Sequence, residues 1–210
     1  RELAVNLELE SIYCNPSEVS SPERAAAALS SLTNKPSKAI LTKLTSDGQF
    51  VWLDRKLEPD IARKIKDAKI KGLGFMPDAK RFYPKGHLAS HVLGLVDIDN
   101  KGIEGAELKY ESYLSRSGGK VFFARDAGGR RLSQGVEMES KGNDLVMTID
   151  EGLQYIVETE LNNAMEQWRA SAAAVIMMDP FTGEILSIAN RPAFNPNLRD
   201  RSNDRERRNR

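Results

Sequence analysis

One cysteine in 210 residues, Cys14, excludes any internal disulfide, so an oxidising compartment is neither required nor forbidden. Long apolar runs are missing as well. The longest uninterrupted one, Ala172 to Met178, is far short of the ~18–20 residues that a membrane-spanning helix needs. The start, Arg1-Glu-Leu-Ala-Val-Asn6, lacks the basic, apolar, small-residue order of a signal peptide. It also lacks an initiator Met, so the chain is expected to begin inside a longer protein. No N-x-S/T sequon occurs. An excess of one charge is absent too: 31 Lys and Arg against 30 Asp and Glu leave +1, which argues against a nucleic-acid partner. The Arg-rich tail does not change this, because Asp200, Asp204 and Glu206 dilute it.

What is present is the composition of a folded chain, 40% apolar and 29% charged, which excludes wholesale disorder. At this length a compact chain buries roughly 70% of its surface, and one large domain or two small ones are expected. Punctuation is uneven. Twelve of the 15 Gly fall between Gly72 and Gly142, and no Pro occurs from Lys85 to Asp179.

The first third reads as helices. Ser20 or Ser21 caps a start with Pro22 in the first turn, followed by the Ala-rich Arg24 to Leu32. A second helix is expected over Ser37 to Leu44. A third, Pro59 to Ile70, places Ile61, Ile65 and Ala68 on one face and its Lys residues on a solvated one. Phe50 to Leu53 reads as the end of a short strand after the Asp47-Gly48 turn. In the middle, Gly86 to Leu93 and Ile103 to Leu114 read as short helices. Lys120 to Arg125 reads as a strand, joined through Asp126-Ala-Gly-Gly129 to Arg130 to Ser133. From Asp144 the style changes. Leu145 to Ile149 is a strand candidate and Asp150 a helix cap. Leu153, Ile156, Val157, Leu161, Ala164, Met165 and Trp168 follow at helical spacing. Two strands, Ala172 to Met178 and Glu184 to Ala189, flank the turn Asp179-Pro-Phe-Thr-Gly183. The first is apolar throughout, so both of its faces are expected to be buried. The tail Leu198 to Arg210, with six Arg and three acids, cannot pack by itself.

No catalytic constellation is visible, and no metal or cofactor is expected. His87 and His91 share a helical spacing, but Leu88 stands where a metalloprotease helix has Glu, and no third ligand is evident. Both read as residues of a half-exposed helix. Ser117-Gly-Gly-Lys120 matches S-x-x-K formally, yet two adjacent Gly disfavour the helical turn in which Ser and Lys meet. No S-x-N triplet and no K-T-G or K-S-G accompanies it.

Three stretches, read together, resemble class B penicillin-binding proteins. Arg81-Phe-Tyr-Pro-Lys-Gly86, His91-Val-Leu-Gly94 and Gly102-Ile-Glu-Gly-Ala-Glu107 resemble the family's N-terminal platform signature. Leu145-Val-Met-Thr-Ile-Asp150 with Leu153, Gln154 and Glu158 resembles the opening of its transpeptidase domain. Met178-Asp-Pro-Phe-Thr-Gly-Glu-Ile-Leu186, then Ala189, Pro192 and Phe194-Asn-Pro-Asn197, resembles the strand pair that follows. The wording Asn100-Lys-Gly-Ile-Glu-Gly105 is nearer the cell-division branch than the elongation branch. A departure is Ser115, where the family usually has Gly.

The resemblance implies an α+β fold: an irregular, elongated platform over 1–143, then an incomplete α/β penicillin-binding transpeptidase domain (strand, helix, β-hairpin) over 144–197, and a flexible Arg-rich tail over 198–210. Its motif residues are Arg81, Tyr83, Pro84, Gly94, Gly102, Glu104, Gly105 and Glu107 in the platform. In the transpeptidase start they are Asp150, Gln154, Asp179, Pro180, Gly183 and Glu184. Gly94, Gly102 and Gly105 are read as serving backbone geometry, and Arg81 is expected to pair with Glu104 or Glu107. The family's enzymes are membrane-anchored, act outside the bacterial cytoplasmic membrane and cross-link peptidoglycan through a Ser nucleophile that β-lactams acylate. In the family that nucleophile comes shortly after an Arg-Asn-Arg stretch, which here is Arg208-Asn-Arg210 at the chain's end. The chain is therefore expected to be the non-catalytic front of such an enzyme. The alternative is a stand-alone scaffold module that docks cell-wall assembly partners. Expected partners are cell-wall synthesis and divisome membrane proteins, chiefly a glycan polymerase, with self-association through the strands at 172–190.

Overall fold

The computed structural model describes residues 1–115, 121–125, 131–136 and 142–201, with the backbone alone for 121–125, 131–136 and 199–201. Ser117 to Lys120, the connection Asp126 to Gly129 and the tail beyond 201 lie outside the described residues. The chain packs as two compact units. One is Val5–Phe82; the other joins Arg1–Ala4 to the chain from Tyr83 onward.

The Val5–Phe82 unit is built on a three-stranded antiparallel sheet, order β2-β1-β3, formed by β1 (Val5–Cys14), β2 (Val51–Leu57) and β3 (Leu73–Phe82). Helices α1 (Pro22–Thr33), α2 (Ser37–Leu44) and α3 (Pro59–Asp67) supply the other half of its core. Ile12 and Cys14 of β1 meet Ala26, Leu29, Ile40, Leu44, Leu53, Ala62 and Ile65, and each large aliphatic side chain so buried contributes about 1.5–3 kcal/mol. Burial raises the Cys14 thiol pKa, while the charge of Lys43 pulls the other way.

The expectation of helices over the first third therefore needs correction: β1 and β3 are ten-residue strands. Val51 to Leu57 forms a longer strand, starting after the Asp47-Gly48 turn. The third helix ends at Asp67, and its buried residues are Ala62 and Ile65, with Ala68 exposed. Pro77 sits within β3, which a central strand would not tolerate; β3 is an edge strand, so the missing N–H disturbs no ladder. Gly74 pairs with Tyr13, whose ring occupies the space where a Cβ would stand, 2.2 Å from Tyr13 Cζ. Phe50 stacks on that ring at 4.8 Å.

The other unit opens with a turn-rich loop that reaches the short helix α4 (Ser90–Leu93), where a helix over Gly86 to Leu93 was expected. Left-handed backbone at Gly86 (φ 60) and Ala89 (φ 54) prevents a helix from starting earlier. Strand β4 (Leu95–Val96) pairs with β5 (Gly102–Glu104), and α5 (Gly105–Lys109) and α6 (Glu111–Leu114) follow. Strands β6 (Val121–Arg125) and β7 (Arg131–Val136) pair antiparallel. Helix α7 (Glu151–Trp168) then packs on the hairpin of β8 (Ala173–Met178) and β9 (Ile185–Arg191) through Val157, Leu161, Ala173, Val175, Met177 and Ala189.

Two expectations here need revision. Leu145 to Ile149 is not a strand, and Thr148 is a bend; the segment is tied to β9 through Thr148 Oγ1 donating to Ile185 O and Asp150 N to Leu186 O. Strand β8 is not buried on both faces: its residues alternate, and Ile176 and Met178 are 66% and 57% exposed. Among the described residues α7 covers one face of a two-stranded sheet, so the other face meets solvent.

Backbone approaches backbone closely between Leu93 and Glu107. Gly94 has φ +78, and a Cβ there would fall 1.8 Å from Glu104 O. A Cβ on Gly105 would fall 2.6 Å from Gly94 N, and one on Gly102 2.2 Å from Glu107 O. Gly94→Ala is thus expected to cost more than about 2 kcal/mol, from left-handed strain plus a backbone collision. Gly183→Ala, with φ +74 and nothing within 4 Å, is expected to cost only about 1–2 kcal/mol from strain alone. Calorimetry on both variants checks this, and equal losses would mean that the crossing opens freely.

Candidate functional site

The richest polar constellation among the described residues is buried where α7, β9, the loop 83–93 and the segment 192–197 meet. Helix α7 starts at Asp150 because its carboxylate Oδ1 accepts from Leu153 N at 2.9 Å. That start sets the rotation of the helix and turns Gln154 and Glu158, one turn apart, toward β9.

Gln154 is fully buried and makes all four of its bonds. Its Nε2 donates to Ile188 O at 2.7 Å and Glu158 Oε1 at 2.8 Å. Its Oε1 accepts from Ile188 N and Ser187 Oγ, both at 2.9 Å. Glu158 is nearly as buried. Its Oε1 also accepts from Ala89 N at 2.7 Å, and its Oε2 takes Arg191 Nη2 at 3.2 Å. Arg191 also donates to Glu158 O, Asn190 O and Asn162 Oδ1. Both partners of this ion pair are under a tenth exposed, so solvent screens it little.

Two further contacts tie the same segments. His91 is buried, edge-on to Phe194 at 5.2 Å, and its Nε2 lies 2.9 Å from Pro192 O. A carbonyl only accepts, so Nε2 carries the proton. Tyr83 N donates to Asn197 Oδ1 at 3.0 Å, and Asn197 Nδ2 donates back to Tyr83 O at 2.9 Å. At the rim, Lys85 Nζ lies 2.8 Å from Glu151 Oε1 and Arg1 Nη1 3.5 Å from Oε2. The hydrogen bond from Lys85 is the main reason that the Glu151 pKa is lowered.

The structure brings together Tyr83, Asp150 and Gln154 of the sequence-predicted set. Glu107 is buried and accepts from Tyr83 Oη at 3.5 Å. Gly94, Gly102, Glu104 and Gly105 form the backbone crossing, and Pro84 is exposed. Asp179, Pro180, Gly183 and Glu184 shape the β8–β9 turn instead: Asp179 Oδ1 accepts from Phe181 N, and Asp179 N donates to Glu184 O. Arg81 belongs to the Val5–Phe82 unit, where its Nη1 donates to Asn6 Oδ1 at 3.2 Å. His87 is exposed while His91 is buried, so the two do not share a half-exposed helix. Arg191, Asn162 and Ser187 carry no local sequence signal as site residues. The cluster holds no nucleophile beside a base. It binds backbone to backbone.

Arg191→Met is expected to cost about 3–5 kcal/mol, because it leaves the Glu158 carboxylate buried without its cation. Lys66→Met, which breaks a half-exposed pair with Glu10, is expected to cost at most about 1 kcal/mol. Denaturant unfolding of the two variants makes the comparison, and similar losses would show that the Glu158 site is wet. Glu151 favours its charged form, so its contribution is present above the ordinary carboxylate pKa and fades as pH falls through the lowered value. Lys85→Ala should move that titration upward by carboxyl NMR; an unmoved titration would remove Lys85 as its cause.

Residues 1–147 match the family described as Penicillin-binding Protein dimerisation domain. The chain is 36% identical to the probable peptidoglycan D,D-transpeptidase PenA of Neisseria meningitidis, over 99% of this chain and 37% of that protein. It is 32% identical to the peptidoglycan D,D-transpeptidase FtsI of Escherichia coli, over 94% of this chain and 35% of that one. Its fold is similar to that of Penicillin Binding Protein 2X from Streptococcus thermophilus, with TM-score 0.64 at 24% identity, covering 93% of this chain and 34% of that one. The chain thus spans little more than a third of the length of the curated relatives it matches. With the family match covering most of its length, the chain belongs to the penicillin-binding proteins, through their dimerisation domain.

Proposed function

We propose that this chain is the non-catalytic front portion of a peptidoglycan D,D-transpeptidase. Residues 1–143 act as its platform, residues 144–197 open the transpeptidase domain, and 198–210 are an Arg-rich tail. The observation that carries this reading is the reach of the similarity. Relatives named peptidoglycan D,D-transpeptidases match 94–99% of the chain, well past the end of the dimerisation-domain match at residue 147. A stand-alone scaffold module would have no need of α7 and β8–β9. The exposed apolar face of β8, with Ile176 and Met178, fits a sheet that a longer polypeptide completes.

The longer protein would cross-link peptidoglycan at division, with a Ser attacking the penultimate D-Ala carbonyl of a stem peptide and passing the acyl group to a neighbouring amine. Its place would be the cell envelope, on the extracytoplasmic side of the cytoplasmic membrane. The platform would dock cell-wall synthesis and divisome membrane proteins, chiefly a glycan polymerase.

A fluorescent penicillin should form no covalent adduct with these 210 residues and should label the longer protein; an adduct on this chain would overturn the division of labour. The platform role predicts that the immobilised chain retains a glycan polymerase and that removing residues 1–143 abolishes retention. Undiminished retention by the remainder would refute it.

A further inference from the structure

The loop 83–93 and the segment 191–197 are joined near both of their ends. Tyr83 and Asn197 exchange two hydrogen bonds at one end. At the other, His91 Nε2 meets Pro192 O, and Ala89 N shares the Glu158 carboxylate with Arg191. Side chains supply every one of these links: Asn197, His91, and the Glu158–Arg191 pair. Within the segment, Asn195 Oδ1 also accepts from Asn197 N at 3.0 Å.

Ala89 shows that the contacts impose a conformation. Its φ of 54 is left-handed, which for a residue with a Cβ carries a penalty of order 1–2 kcal/mol. The N–H that this backbone presents is the one that Glu158 accepts, and Ala89 itself is 2% exposed. The loop takes a costly shape where a buried carboxylate fixed by Arg191 holds it.

We propose that Glu158 and Asn197 are the two ends of one latch, through which the loop 83–93 and the segment 191–197 order as a single cooperative unit. A ligand or partner that grips the loop then also fixes the course of the segment, and release of one loosens the other. The inference rests on the proposed function only for its use, as a route from the platform motif to the start of the transpeptidase domain. The latch itself concerns these residues alone, so its failure would leave the penicillin-labelling result untouched.

Amide hydrogen exchange on the 210-residue chain tests it, comparing the native sequence with Asn197→Ala and Glu158→Gln. Asn197 does not bond Ala89, yet Asn197→Ala is expected to speed exchange at the Ala89 amide about tenfold. By reciprocity, Glu158→Gln is expected to speed exchange at the Tyr83 amide by a similar factor, although Tyr83 bonds Asn197 and not Glu158. The latch is refuted if each substitution changes exchange only at its own partner, with the distant amide within about twofold of native. If Glu158→Gln fails to fold, Asn197→Ala read at Ala89 decides alone, since Asn197 is only half-buried.

Discussion

Helix α7 carries two hydrogen-bonding side chains, Gln154 and Glu158, on the face that it buries, and the second unit is arranged to satisfy them. An amide or carboxylate taken out of water without partners costs several kcal/mol. Every partner must therefore arrive at a fixed distance and angle. The partners come from Ser187, Ile188 and Arg191 of β9 and Ala89 of the loop. Gln154 does more than satisfy itself. It offers Ile188 both an acceptor and a donor, as a neighbouring strand would. Asp150 N bonds Leu186 O just before it, so that edge of β9 is met first by a backbone N–H and then by a side chain.

The Val5–Phe82 unit solves its packing differently. Its core is apolar and layered, and its polar links lie around it: Ser11 donates to Asp78, Arg55 pairs with Asp78 at 3.4 Å, and Lys35 pairs with Asp54 at 2.6 Å. Such a core tolerates exchange of one aliphatic residue for another of similar volume. The glycine crossing of the second unit tolerates none, because backbone meets backbone where a Cβ would stand. The two units thus distribute sequence constraint unequally, volume in one and individual atoms in the other.

This inequality explains what was legible in the sequence. Helix α1 is marked by Pro22 and an Ala-rich run, and α7 by the cap at Asp150, because those signals are local. Strands β1 and β3 escaped notice for a physical reason. Val5 to Glu10 does alternate, but β3 carries Gly74 and Pro77, which look like strand breakers. They are tolerated only because β3 lies at an edge and Tyr13, about sixty positions away in sequence, fills the gap at Gly74. Strand β8 reads as a central strand from its composition, yet composition says what a strand can bury and not what is there to cover it. Arg191 was invisible for the same reason as Tyr13: its meaning lies in a carboxylate 33 residues earlier. Gln154 and Glu158 were visible through family resemblance, but only the packing shows why these residue types stand there.

A buried ion pair is not an efficient source of stability, since an apolar pair of equal volume often serves as well or better. Its retention between α7 and β9 is therefore better understood as a choice of arrangement. Apolar contacts among Val157, Leu161, Val175 and Ala189 would survive small sliding of the hairpin against the helix. The polar set would not. A one-residue slip of β9 would turn Arg191 to the opposite face and leave Glu158 unpaired. It would also separate Gln154 from both the N–H and the C=O of Ile188. The apolar contacts hold helix and hairpin together, and the polar ones decide which register they hold. The register in turn decides where the chain beyond Arg191 is delivered to Tyr83.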